Sequence, residues 1–264
     1  MNLVIENIKF PVLNQANIKL SIARADQIHP LASGNKFYKL APVIEYAKRN
    51  NYKQLLSFGG AFSNHIHALA LTAQAHGLVS IGIIRGESTY AKNPTLQGAQ
   101  TSGMQLQFVD RTTYKRRYDK DYVSQLQQQY PEALIIPEGG SSQLAIQGCA
   151  VLAREINCLQ KSDFLAVASG TGATVAGIAC GLNDDQSAIG YAVLKDESLS
   201  ERIQTFIRQE NSNVSVKIEK ADFGGYAKLD KTLLDFIIQW LDKTGILLDP
   251  IYTSKMCMRL MQQI

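Results

Sequence analysis

Gln54-Leu55-Leu56-Ser57-Phe58-Gly59-Gly60-Ala61-Phe62-Ser63-Asn64-His65 reads as a strand that runs through glycines into a helix. Gln54–Phe58 is a short β-rich run, and Ile66, Leu69, Ala70 and Ala73 then fall at helical spacing. Ser63 stands where an N-cap belongs and Gly77 where the helix should stop. The same order recurs along the chain: Val79–Arg85 then Pro94–Thr101, Gln105–Val109 then Tyr118–Tyr130, Leu134–Ile136 then Gln143–Asn157. Phe164–Ala168 then Ala173–Gly181, and Ile189–Leu194 then Glu197–Arg208, continue it. Alternation of this kind predicts an α/β fold of parallel sheets wound with helices on both faces. Ligands of such sheets sit at the carboxyl ends of the strands. No repeat or low-complexity linker divides the chain. Boundaries after Ala41-Pro42 and near the helix ending around Cys158 predict a smaller inserted domain, 43–154, within a larger one, 1–42 and 155–264.

With 264 residues, 45% hydrophobic and 19% charged, the chain is long enough to bury a sizeable core. Its formal charge of +4 is mild. The densest basic run, Lys115-Arg116-Arg117 with Lys120, reads as a solvated face rather than a nucleic-acid surface. Cys149, Cys158, Cys180 and Cys257 are scattered with no C-x-x-C pair, so neither a zinc knuckle nor a redox motif is signalled and buried free thiols are expected. The start, Met1-Asn2-Leu3-Val4-Ile5-Glu6, lacks a basic region followed by a long apolar stretch, and no later run is long enough to span a bilayer, so a cytoplasmic protein is expected.

Several segments carry chemistry. In Ser33-Gly34-Asn35-Lys36-Phe37-Tyr38-Lys39-Leu40, Lys36 stands where a helical pattern begins, on backbone rigid enough to present an amine to a carbonyl compound. A solvated surface lysine is the plainer reading of that residue alone. Ser63 and Asn64 lie at a helix N-terminus, where amides and the dipole favour a carboxylate or phosphate; simple capping explains Ser63 equally well. His65 and His67 stand two apart on a helix, on nearly opposite faces, so they do not share a metal ion. Ser169-Gly170-Thr171-Gly172-Ala173-Thr174 joins a strand to a helix through small residues, and its backbone N–H groups and threonine hydroxyls can cradle a phosphate. A tight packing turn uses the same residues. The turns Pro137-Glu138-Gly139-Gly140-Ser141-Ser142 and Asp249-Pro250-Ile251-Tyr252-Thr253 complete the set. An imine-forming lysine, a phosphate cradle and helix N-termini for a carboxylate are together the parts that pyridoxal phosphate chemistry requires.

In this order the segments resemble the family of 1-aminocyclopropane-1-carboxylate deaminase and D-cysteine desulfhydrase, pyridoxal-phosphate enzymes of the tryptophan synthase β fold. The likeness covers nearly the whole chain. It implies fold type II, with two wound sheets, the cofactor in the cleft between them, and a further C-terminal strand that this sequence lacks. It also implies a homodimer. By the resemblance Lys36 is the imine lysine and proton carrier, and Lys39 approaches the phosphate held by Gly170, Thr171, Gly172, Ala173 and Thr174. Asn64 bonds the cofactor's ring oxygen, while Ser63, Asn64 and His65 grip the substrate carboxylate. Tyr226 and Tyr252 are the active-site phenols, and Thr253 faces the pyridine nitrogen.

Ring-opening deaminases of this family have glutamate at the position of Thr253, and desulfhydrase-like members have threonine. The expected reaction is therefore β-elimination from D-cysteine, giving pyruvate, ammonia and sulfide. Cyclopropane-ring deamination is the nearest alternative, and a catalytically weak homologue that binds cofactor or amino acid is the alternative from another class. Phe62 stands where the family has glutamine, and Tyr38 and His67 where it has arginine.

Overall fold

The structure, a computed structural model, describes residues 2–28, 34–225 and 227–264. Ser33 and the proposed phenol Tyr226 lie outside them. In chain order the elements are β1 (Ile5–Ile8), α1 (Pro11–Gln15), β2 (Leu20–Ala23), α2 (Asn35–Arg49), β3 (Gln54–Gly59), α3 (Asn64–Ala75), β4 (Val79–Arg85), α4 (Pro94–Thr101), β5 (Gln105–Val109), α5 (Arg111–Lys115) and α6 (Lys120–Gln129). They continue with β6 (Ala133–Ile136), α7 (Gln143–Leu159), β7 (Phe164–Ser169), α8 (Ala173–Cys180), β8 (Ser187–Ala192), α9 (Leu199–Gln209), β9 (Val216–Lys220), α10 (Lys231–Thr244) and α11 (Thr253–Met261).

The chain forms two compact units, Asp26–Gly148 and, around it in sequence, Asn2–Ala25 with Cys149–Ile264. Both bounds of the inserted unit fall earlier than 43 and 154. The reason is α2, which packs on α3 and meets α7 so closely that a Cβ on Gly148 would lie 1.9 Å from the carbonyl oxygen of Tyr38. Only glycine permits that crossing.

In the inserted unit four parallel strands run in the order β5-β4-β3-β6. Strand β3 alternates strictly. Leu55 joins Leu40, Val43 and Ile44 of α2 and Ile66 and Leu69 of α3, whereas Leu56 and Phe58 join Tyr114, Tyr122 and Leu126 beneath α5 and α6. Each such buried side chain contributes about 1.5–3 kcal/mol. With both faces covered, the strand reads as a continuous apolar run interrupted only by Ser57, which shares the face of Leu55. The order reverses between β3 and β6, so the ends of these two strands flank the crevice where a ligand is expected.

The other unit has a parallel sheet, β7-β8-β9, and a separate antiparallel pair, β1-β2. Its apolar clusters gather Ile8, Leu13, Trp240, Ile246 and Leu248, and Tyr191, Val193, Ala221 and Leu260. Among the described residues no strand follows β9, and no helix is long and apolar enough to cross a membrane. Cys149 and Cys257 are buried as expected, but Cys180 is half-buried and Cys158 exposed. The basic run also departs from a purely solvated face: Arg117 lies over the rings of Tyr114 and Tyr118, and Arg116 over Tyr122.

Candidate functional site

In the inserted unit the site grows from the β3–β6 reversal. Helix α2 starts at Gly34, whose φ of 66° and ψ of −150° suit glycine, and its first turn carries Lys36 and Lys39 on one face. Lys39 is buried, and its Nζ donates to the carbonyl of Gly139 at 3.1 Å. Gly139 and Gly140 both hold left-handed φ, 68° and 69°. A Cβ on Gly140 would lie 3.1 Å from Cε1 and 3.3 Å from Nδ1 of His65, and 3.8 Å from Cδ of Lys39. The glycines thus let a turn settle against both side chains. Glu138 anchors it from the other side, accepting from the Tyr114 hydroxyl at 2.6 Å and from Arg117 Nε at 2.7 Å. Burial first, then the Glu138 charge, pushes the Tyr114 phenol far up, so it stays a donor.

Ser63 caps α3, accepting from the N–H of Ile66 at 3.3 Å, and Asn64 follows it exposed to solvent. His65 turns inward to 2% exposure, and its Nε2 lies 2.8 Å from Ser57 Oγ. Burial, then the charges of Lys36 and Lys39, hold its pKa well below the usual histidine value, so the ring is neutral. The neutral ring therefore offers no cation at the helix start. His67, two residues on, faces Gly98 of α4, and no group of histidines, cysteines or carboxylates among the described residues could hold a metal ion.

In the other unit the cradle follows β7. Gly172, at φ 90°, is the N-cap of α8 without a side-chain cap, and the main-chain amides of Ala173 and Thr174 lie in the first turn of the helix. A Cβ on Gly170 would lie 3.3 Å from Cε1 of Tyr252, which brings two expected site residues together. Next to Tyr252, Thr253 opens α11; its Oγ1 accepts from the N–H of Asp249 at 2.8 Å and donates to the Asp249 carbonyl at a long 3.5 Å. The Asp249 carboxylate receives the amides of Ile251 and Tyr252 at 2.8 and 2.7 Å, fixing the turn that carries both residues.

Four supporting residues escape a motif-based reading. Ser57 orients His65, Glu138 anchors the glycine turn, and Arg202 donates to the Thr171 carbonyl at 3.1 Å while pairing with Asp196. Lys255, fully buried, donates to the carbonyls of Asp222 and Gly225 at 2.8 and 2.6 Å, and burial pushes its pKa down. A polar residue inside an apolar strand, and a lysine on the buried face of α11, were the available signals.

A putative 1-aminocyclopropane-1-carboxylate deaminase of Pyrococcus horikoshii is 28% identical over 84% of this chain and 72% of its own length. A D-cysteine desulfhydrase of Salmonella choleraesuis is 26% identical over 88% of this chain and 77% of its own. The crystal structure of a 1-aminocyclopropane-1-carboxylate deaminase homologue superposes with a TM-score of 0.87 at 23% identity, over 99% of this chain and 84% of that one, and shares its fold. The sequence model of the pyridoxal-phosphate dependent enzymes matches residues 10–252, nearly the whole chain, and the protein belongs to that family.

Proposed function

We propose that the protein eliminates the β-substituent of a small D-amino acid, D-cysteine above all, to give pyruvate, ammonia and sulfide. The residues fit pyridoxal phosphate. The start of α8, with glycine at its N-cap and no side-chain cap, offers main-chain amides to a phosphate, and the buried Nδ1 of His65 has no hydrogen-bond partner. The cofactor, when bound, supplies an electron sink conjugated to the substrate's α-carbon. In this reading Lys36 is its lysine and carries the α-proton; Lys39, Gly170, Thr171, Gly172, Ala173 and Thr174 hold the phosphate, and Asn64 the ring oxygen. Ser63, Asn64 and the amide of His65 bind the substrate carboxylate, and Tyr226 and Tyr252 serve as phenols near the leaving group. When the bond to the β-substituent breaks, its electron pair leaves on sulfur. The family resemblance further supports a homodimer.

The observation that carries the substrate assignment is Thr253, a neutral hydroxyl beside Tyr252 at the start of α11. Its proton is spent on a bond of 3.5 Å, weak enough to be redirected to an unprotonated pyridine nitrogen. A neutral partner leaves a moderate electron sink, sufficient to expel thiolate or chloride but poor for opening an unactivated ring. The relatives include both a D-cysteine desulfhydrase and putative 1-aminocyclopropane-1-carboxylate deaminases, so the choice rests on Thr253. Pyruvate is expected from D-cysteine and β-chloro-D-alanine, with little turnover of 1-aminocyclopropane-1-carboxylate, and Thr253→Glu should move activity towards the cyclic substrate. Wild-type preference for the cyclic amino acid would overturn the assignment. Absence of turnover of all three by cofactor-loaded protein would support a binding role instead.

A further inference from the structure

Lys255 lies in the first turn of α11 and is fully buried. Burial works against an ammonium, and so does the positive end of a helix dipole. Two main-chain carbonyls answer it: Nζ donates to that of Asp222 at 2.8 Å and to that of Gly225 at 2.6 Å. Both belong to the turn that follows β9. Phe223, Gly224 and Gly225 of that turn hold left-handed φ of 40°, 92° and 115° in succession, a strained conformation for the phenylalanine. Within the turn the N–H of Gly225 donates to the Asp222 carbonyl at 2.9 Å, and that of Gly224 to the Asp222 carboxylate at 3.1 Å. Such backbone persists only where its surroundings fix it, and Lys255 spans the strained stretch from its first carbonyl to its last.

Tyr252 stands three residues before Lys255, at the N-cap of α11. Its amide is held by the Asp249 carboxylate at 2.7 Å, and its Cε1 would lie 3.3 Å from a Cβ at Gly170. Phe223 of the clamped turn and Tyr252 pack against the same cluster of Tyr191, Val193, Ala221 and Leu260. The tyrosine is thus tied on one side by Asp249, and on the other by a helix turn whose lysine is anchored behind β9.

We propose that Lys255 is a positioning residue for Tyr252: by bonding both carbonyls of the turn 222–225 it locks the start of α11 to the end of β9 and keeps the phenol in place. The proposal rests on the reading of Tyr252 as a phenol at the leaving group. There its hydroxyl donates a hydrogen bond to sulfur as the C–S bond breaks and the electron pair stays on sulfur. Chloride, a far weaker base than thiolate, gains little from such a donor.

Its test combines two measurements on the full chain. The first compares turnover of D-cysteine and β-chloro-D-alanine by cofactor-loaded protein. Lys255→Met removes both bonds and keeps an apolar stem; it should lower kcat for D-cysteine about tenfold and leave that for β-chloro-D-alanine within about twofold, the loss of roughly one hydrogen bond in one reaction only. Tyr252→Phe should lower the same ratio by a similar factor, and the double variant should lower it no further. A merely structural lysine would slow both substrates alike. The second measurement uses the cofactor-free chain grown with fluorotyrosine. The fluorine resonance of position 252, identified by its loss in Tyr252→Phe, should shift or broaden in Lys255→Met. An unmoved ratio in Lys255→Met, multiplied effects in the double variant, or an unmoved resonance would overturn the proposal. An unmoved ratio in Tyr252→Phe, or a wild type that does not turn over D-cysteine, overturns instead the reading beneath it and takes the role of Lys255 with it. Should Lys255→Met fail to fold, Lys255→Gln, one atom shorter and uncharged, should lower the ratio in the same sense, and an unchanged ratio there counts against Lys255.

Discussion

His65 illustrates what a single buried titratable group does to the whole chain. Its pKa in the folded protein is depressed, chiefly by burial and then by Lys36 and Lys39, from a usual value of 6.5. A group depressed on folding contributes stability that is complete above its unfolded pKa and is lost as pH falls. Stability should therefore drop below about pH 6.5, by roughly 1.4 kcal/mol per pH unit until the folded pKa is reached. Unfolding curves between pH 8 and 5 should show this slope in the wild type and a shallower one in His65→Gln; parallel slopes would remove His65 as the source. The residue was only half legible in the sequence. Ser63 as a cap and the opposed directions of His65 and His67 follow from helix geometry, and the structure has both. That His65 would be buried, and its ring committed to Ser57, depends on which face of β3 meets α3. Neither segment contains that information by itself.

The phosphate cradle is a matter of one element, the turn from β7 into α8. Thr171→Ala should weaken cofactor binding by one hydrogen bond to a charged group, about 1.5–3 kcal/mol, at nearly unchanged thermal stability. Gly172→Val should do worse for a different reason than blocked access. At φ 90° any side chain is strained, and a Cβ there would lie 2.7 Å from Ile203 of α9, so the melting temperature should fall together with affinity. Equal, small effects of both changes on titration and melting would reduce the turn to packing. Strands and helices with strong period were readable nearly to their ends: β4, α4 and β5 begin and end where the hydrophobic pattern does. The pair β1-β2 was not, because each strand has only four residues, too few to show a period. Helix α10 carries its own signals, Asp230 capping the N–H of Leu233 and Gly245 at φ 70°, beyond the last β-then-α repeat. The short α5 and the arginines after it take their meaning from Glu138, which lies in another segment.

At the scale of the molecule, the alternation of strands and helices carried the fold class, and the order of the motifs carried the family. What stayed out of reach was the allotment of α2. Its own periodicity says helix, but only the approach of Gly148 to Tyr38 assigns it to the inserted unit, with Lys36 on the same unit as Ser63, Asn64 and His65. The account's central claim is that Lys36, rather than the buried Lys39 or Lys255, is the lysine that holds the cofactor. The most direct measurement is borohydride reduction of the cofactor-loaded chain followed by peptide mapping. The account predicts a yellow protein with a band near roughly 410–430 nm and, after reduction, one labelled peptide carrying the cofactor on Lys36. A label on Lys39, Lys255 or any other lysine, or the absence of that band in loaded protein, would contradict it.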